Sequence, residues 1–127
     1  MAKSIPEQWA EQARYDLETA RAMLQSERYL YVLFCCQQAV EKMLKGVIAQ
    51  RTGEFPPRLH DLIKLAEEVD LKPDQDQAQL MRQLSEYYIQ SRYPEHTATM
   101  SRGLTRERAQ DVLNQTESIL RWLSSML

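Results

Sequence analysis

Apolar residues recur every three or four positions along most of the chain, the period of a helix that buries one face. Trp9, Ala13, Leu17, Ala20 and Leu24 make the first stripe and predict a helix from about Pro6 to about Ser26. Ser4 and Glu7 have capping-box spacing, in which side chain and backbone satisfy each other's free groups. Leu30, Leu33, Phe34, Gln37, Val40, Leu44, Val47 and Ile48 predict a second helix from about Tyr29 to about Arg51. Gly53 is its left-handed stop, and Pro56-Pro57 prevents resumption. The link between the two is short, so they should be antiparallel neighbours.

A shorter helix runs from about Leu59 to about Val69, with Leu59, Leu62, Leu65, Ala66 and Val69 on one face and Asp61 in its first turn, where a carboxylate suits the helix dipole. A fourth begins after Pro73. Asp74 and Gln77 again have capping-box spacing, and Leu80, Leu84, Tyr87 and Tyr88 follow. Pro94 disfavours helical geometry at Tyr93, so this helix should end by about Arg92. The polar stretch from Glu95 to Gly103 is expected to be a connector. Thr105 caps the last helix, whose apolar positions include Val112, Leu113, Ile119, Leu120, Trp122, Leu123 and Leu127. The expected fold is all-α: an antiparallel up-and-down four-helix bundle with an additional short helix, about five helices in all, forming one domain over residues 1–127.

Composition narrows the functional classes. The net charge is −2, which argues against a generally basic nucleic-acid binder and leaves only a local patch. Arg92, Arg102, Arg106 and Arg108 make the one locally basic segment, balanced by Glu95 and Glu107 as a solvated face would be. Cys35 and Cys36 are adjacent on a helix, point in different directions and read as buried small hydrophobes rather than a disulfide. No apolar run approaches the roughly 20 residues of a membrane span. The first residues lack the apolar core of a signal peptide. The expectation is a soluble, cytoplasmic protein. Two histidines far apart without HExxH spacing give no basis for a metal site, and no cofactor is expected.

Three stretches carry a resemblance. The first is Trp9 through Leu24, with Ala13, Asp16, Leu17 and Ala20. The second is the run from Phe34 through Gln37-Gln38-Ala39-Val40-Glu41-Lys42 to Leu44-Lys45. The third combines His60-Asp61-Leu62 with Tyr87-Tyr88 and Arg92-Tyr93-Pro94. In this order and spacing they resemble the HEPN family, the nucleotide-binding helical domain shared by higher eukaryotes and prokaryotes. The resemblance implies an up-and-down helical bundle, often a homodimer. It also implies a minimal nucleotidyltransferase partner in a two-protein module similar to a toxin–antitoxin pair. Some members of the family are proposed to bind nucleotides, and others are metal-independent ribonucleases with an Arg, a spacer of four to six residues and a His.

Candidate chemistry centres on the end of the fourth helix. Tyr87, Tyr88, Arg92 and Tyr93 combine rings that can stack on a base with a cation that can hold phosphate. Tyr88 and Arg92, four apart, share a helix face. The alternative for any single tyrosine is a core-facing ring with a wet hydroxyl. His60 offers an imidazole to a phosphate or, more plainly, a helix-entry ring bonded to backbone or a carboxylate. Lys42 and Lys45 could add positive potential to a phosphate pocket. The default for Lys45 is a surface ion pair with Glu41, worth only about 0.3–0.5 kcal/mol. Gln37 lies on the apolar stripe, and a buried amide there requires partners, either between helices or across a dimer.

Arg92 and His96 are the candidate ribonuclease pair: His can move protons near neutral pH and Arg can clamp phosphate. Their spacer is three residues, one of them Pro94, shorter than the ribonuclease pattern. The first expectation is therefore a nucleotide-binding interaction module acting with a nucleotidyltransferase. A ribonuclease toxin using Arg92 and His96 across a dimer interface, or a structural dimerising bundle without ligand, are the alternatives. A homodimer is expected because outer residues such as Trp122 exceed what one seam can bury.

Overall fold

The chain runs α1 (Ile5–Gln25), α2 (Tyr29–Thr52), α3 (Leu62–Glu67), α4 (Gln75–Gln90), α5 (Pro94–Gly103) and α6 (Arg106–Ser124) in the computed structural model, which describes residues 2–127. No strand occurs among the described residues. The local signals act where their chemistry puts them. Ser4 with Glu7, and Asp74 with Gln77, close reciprocal capping boxes, and Thr105 caps α6. Gly53 ends α2 at φ 70°, which a residue without Cβ adopts at no steric cost.

α2 is the axis of the molecule and touches every other helix. Pro6 and Trp9 at the start of α1 approach Gly46 near the end of α2, while Asp16 meets Lys42, so α1 and α2 are antiparallel. Tyr88 near the end of α4 stacks on Phe34 near the start of α2, which makes that pair antiparallel too. Arg106 at the start of α6 reaches the Leu24 carbonyl at the end of α1. Leu33, Met43 and Leu44 of α2, Leu62 and Leu65 of α3, Leu80 and Leu84 of α4, and Leu123 of α6 fill the core.

Four features differ from the sequence expectation. The stretch expected as a connector is α5, which makes six helices rather than about five. Pro94 both stops α4 and occupies the first turn of α5, where its fixed φ and missing N–H cost nothing. α5 buries no residue, so it leaves no apolar period to read. α3 is shorter than expected: Asp61 is its N-cap and accepts from Lys64 N–H at 3.1 Å, leaving Leu59 outside the helix. Trp122 packs against the core, so it is not surplus apolar surface.

The fourth difference is energetic. Glu41 and Lys45, expected at the surface, are both buried, with Nζ 3.1 Å from Oε2. A helix surrounded by neighbours buries positions that a one-faced helix would expose, and α2 is such a helix.

Candidate functional site

Gln37, Glu41 and Lys45 follow one another at intervals of four and form a polar ladder inside α2. The Gln37 amide donates to Glu41 Oε1 and to the His60 carbonyl, both at 3.0 Å, and its oxygen accepts from Gln38 at 2.7 Å. The expected buried amide is thus satisfied within the chain. Lys45 donates to Glu41 Oε2, and its ammonium lies 5.7 Å from the Trp9 ring centroid. His60 donates from Nδ1 to Glu41 Oε1 at 2.9 Å. Glu41 therefore has a partner for each oxygen, as a buried carboxylate requires.

This ladder fixes His60 in place from behind. With Nδ1 on Glu41, Nε2 is the nitrogen left for solvent or a ligand, and the side chain is 48% exposed. The imidazole lies against Tyr88, ring centroids 5.0 Å apart. Phe34 stacks on the same tyrosine at 5.8 Å and an interplanar angle of 20°. Arg92, one turn beyond Tyr88, lays its guanidinium 4.5 Å from the Tyr88 centroid and donates to the Tyr88 hydroxyl. Ser85 on α4 accepts the Leu62 N–H at 3.1 Å, which locks the start of α3, and so His60 just ahead of it, to α4.

The result is one buried tyrosine ring carrying two exposed nitrogen groups from distant parts of the chain: the Arg92 guanidinium, which donates, and His60 Nε2, which accepts in the neutral ring and donates in the imidazolium. Chemically it can offer hydrogen bonds and positive charge to an anion. The ring of Tyr88 is itself 7% exposed and enclosed by Phe34, His60 and Arg92, so it supports these groups and is not a free stacking face.

The other sequence candidates disperse. Tyr87 is half-buried against the core. Tyr93 is the exposed N-cap residue of α5, and its ring meets His96 at 6.3 Å, edge to face. Arg92 faces Tyr88 instead. Lys42 pairs with Asp16 at 2.8 Å across α1 and α2, and Lys45 is consumed by Glu41, so both ammonium groups already have carboxylate partners. In the basic segment, Arg102 bonds to the Ala98 carbonyl, Arg106 to the Leu24 carbonyl, and Arg108 to Gln83 and Asp111. Sequence reasoning missed Phe34 as a wall of the site and Glu41 as its anchor. The signal for Glu41 was present: a Gln37 already on the buried stripe, extended by Glu and Lys at successive turns.

Both cysteines are free. Burial pushes the Cys36 thiol up to about 12, and raises Cys35 with help from the nearby Asp16 carboxylate. Among the described residues no cluster of His, Cys, Asp or Glu could hold a metal ion, and no helix is long and apolar enough to cross a membrane.

The HEPN domain model matches residues 6–126. TT1696 from Thermus thermophilus is similar in structure, with a TM-score of 0.81 and 31% identity over 98% of this chain and 100% of that one. ST0689, described as an archaeal HEPN homologue, is similar with a TM-score of 0.76 and 26% identity, over 97% of this chain and 98% of its own. Among curated proteins, none matches the chain.

Proposed function

The chain belongs to the HEPN domain family, and on that premise we propose that it is a nucleotide-binding interaction module. The observation that carries this reading is the convergence of Arg92 and His60 on Tyr88. The permanently charged Arg92 suits the oxygens of a phosphate, and His60, oriented by a buried carboxylate, joins it as a second donor in the protonated form, with Nδ1–H on Glu41 and Nε2–H free. The partner in this reading is a minimal nucleotidyltransferase, in a pair of toxin–antitoxin type, with the nucleotide held between the two proteins. The module acts as a homodimer in this reading.

The ribonuclease alternative draws less support, because Arg92 turns to Tyr88 while His96 turns to Tyr93. Titration calorimetry with a nucleoside triphosphate tests the reading. A charged hydrogen bond contributes about 1.5–3 kcal/mol, so Arg92→Ala should weaken binding by about 10–150-fold. His60→Ala should weaken it less, and both variants should keep the wild-type circular dichroism. Absence of binding to the wild type, or equal affinity in all three proteins, would overturn it. Co-purification with a nucleotidyltransferase encoded beside it tests the partner separately.

A further inference from the structure

The start of α2 carries Tyr31, which the anion-binding pair does not use, one turn before Phe34, a wall of that site. Tyr31 is 58% exposed, although a ring of that size gains by burial. Its one aromatic neighbour among the described residues is Phe34, at 6.5 Å and 74°, edge to face. Such a contact covers at most one face of Tyr31, and more than half of the residue stays open to solvent. Phe34 in turn stacks on Tyr88, and Tyr88 carries Arg92. An open aromatic surface is therefore joined, through a continuous series of rings, to a guanidinium and an imidazole.

That combination has a chemical meaning that neither half has alone. An exposed ring by itself is ordinary surface, and a lone arginine is ordinary charge. A ring for stacking beside donors for an anion matches a molecule with a flat base at one end and phosphate at the other. Two ring–ring contacts and one cation–ring contact separate Tyr31 from the Arg92 guanidinium, which suits a chain of phosphates better than one phosphate.

We infer that Tyr31 and Phe34 form the base-stacking half of the site, and that its ligand is a nucleoside polyphosphate with its anionic end at Arg92 and His60. This rests on the nucleotide-binding reading above and extends it to residues that neither the family match nor the anion-binding pair identifies. Tyr31 carries the contact with the base, and Phe34 holds Tyr31 at the correct distance from Tyr88.

Titration calorimetry with ATP and with inorganic tripolyphosphate, without added metal, separates the two halves. Stacking of one base gives an advantage on the order of tenfold, so wild type should bind ATP about tenfold tighter than tripolyphosphate. Tyr31→Ala should bring the two affinities together by weakening ATP alone, and Tyr31→Phe should restore the difference. Thermal melting of both variants confirms the fold. Equal wild-type affinity for ATP and tripolyphosphate would overturn the stacking role while leaving the Arg92–His60 pair standing. A Tyr31→Ala variant weakened equally toward both ligands, or toward neither, would also overturn it. Failure of the wild type to bind either ligand would overturn the nucleotide reading itself, and this inference with it.

Discussion

Replacing Lys45 by methionine keeps most of the side-chain volume and removes the cation from a carboxylate that is almost wholly buried. The Lys45 and Glu41 side chains are 8% and 6% exposed, with Nζ 3.1 Å from Oε2. Removing one partner of a buried pair costs about 3–5 kcal/mol, because the remaining charge is uncompensated. Glu41 keeps hydrogen bonds from Gln37 and His60, which places this case near the lower end, at about 3 kcal/mol. Urea unfolding reads the effect directly: with a slope of about 1–3 kcal/mol per molar, the midpoint should fall by about 1–3 M at fixed protein concentration. Changing Glu41→Leu and Lys45→Met together removes both charges, so the double variant should be more stable than the Lys45→Met single variant, with a coupling of at least about 2 kcal/mol. A single-variant loss within the roughly 0.3–0.5 kcal/mol of an exposed pair would refute the reasoning. A double variant less stable than the single would refute it as well.

Gly46→Ala places a Cβ 3.2 Å from the Pro6 carbonyl oxygen and 3.3 Å from Trp9 Cβ, both fixed in α1. We expect crowding to exceed the gain in helix propensity of about 1 kcal/mol, so the variant should melt lower, and a higher melting temperature would contradict this close helix contact. Cys36 should resist thiol reagents at neutral pH until the protein unfolds, whereas half-buried Cys35 should react first and slowly. The folded state holds the Cys36 proton up to about 12, and the unfolded chain releases it near 9.0. Between those values the native state binds more protons, so stability should fall as pH rises, by at most about 1.4 kcal/mol per pH unit from this group. Cys36→Ala should flatten that part of the denaturation profile, and an unchanged slope would contradict it. Light scattering after size exclusion should give twice the monomer mass if the homodimer reading holds, and a monomer mass at all concentrations would remove it.

Helix boundaries were legible because they are written in local chemistry. A serine three residues before a glutamate, an aspartate three before a glutamine and a glycine after an apolar period each act within one turn of the chain. α5 was illegible for the converse reason: it buries nothing, and Pro94 signals the end of one helix as readily as the start of the next. The burial of Glu41 and Lys45 was illegible because helical spacing reports which residues share a face, not how many neighbours surround the helix.

The site shows the same division. Tyr88 and Arg92 were paired by their spacing, and the pair forms even though Arg92 lies in the turn just after α4. Phe34 reaches Tyr88 from another helix, and His60 reaches it through the carboxylate of Glu41, contacts that exist only after the chain has folded. The three-residue spacer between Arg92 and His96 contains the helix boundary itself, which is why the two side chains take different neighbours.

The account depends on Arg92 and His60 acting together at one anion. A crystal structure of the protein soaked with a nucleoside triphosphate tests this most directly. The expected result is phosphate oxygens within hydrogen-bond distance of the Arg92 guanidinium and of Nε2 of a protonated His60, with Nδ1–H still on Glu41. Phosphate bound elsewhere on the molecule, with both side chains left as they stand around Tyr88, would contradict it.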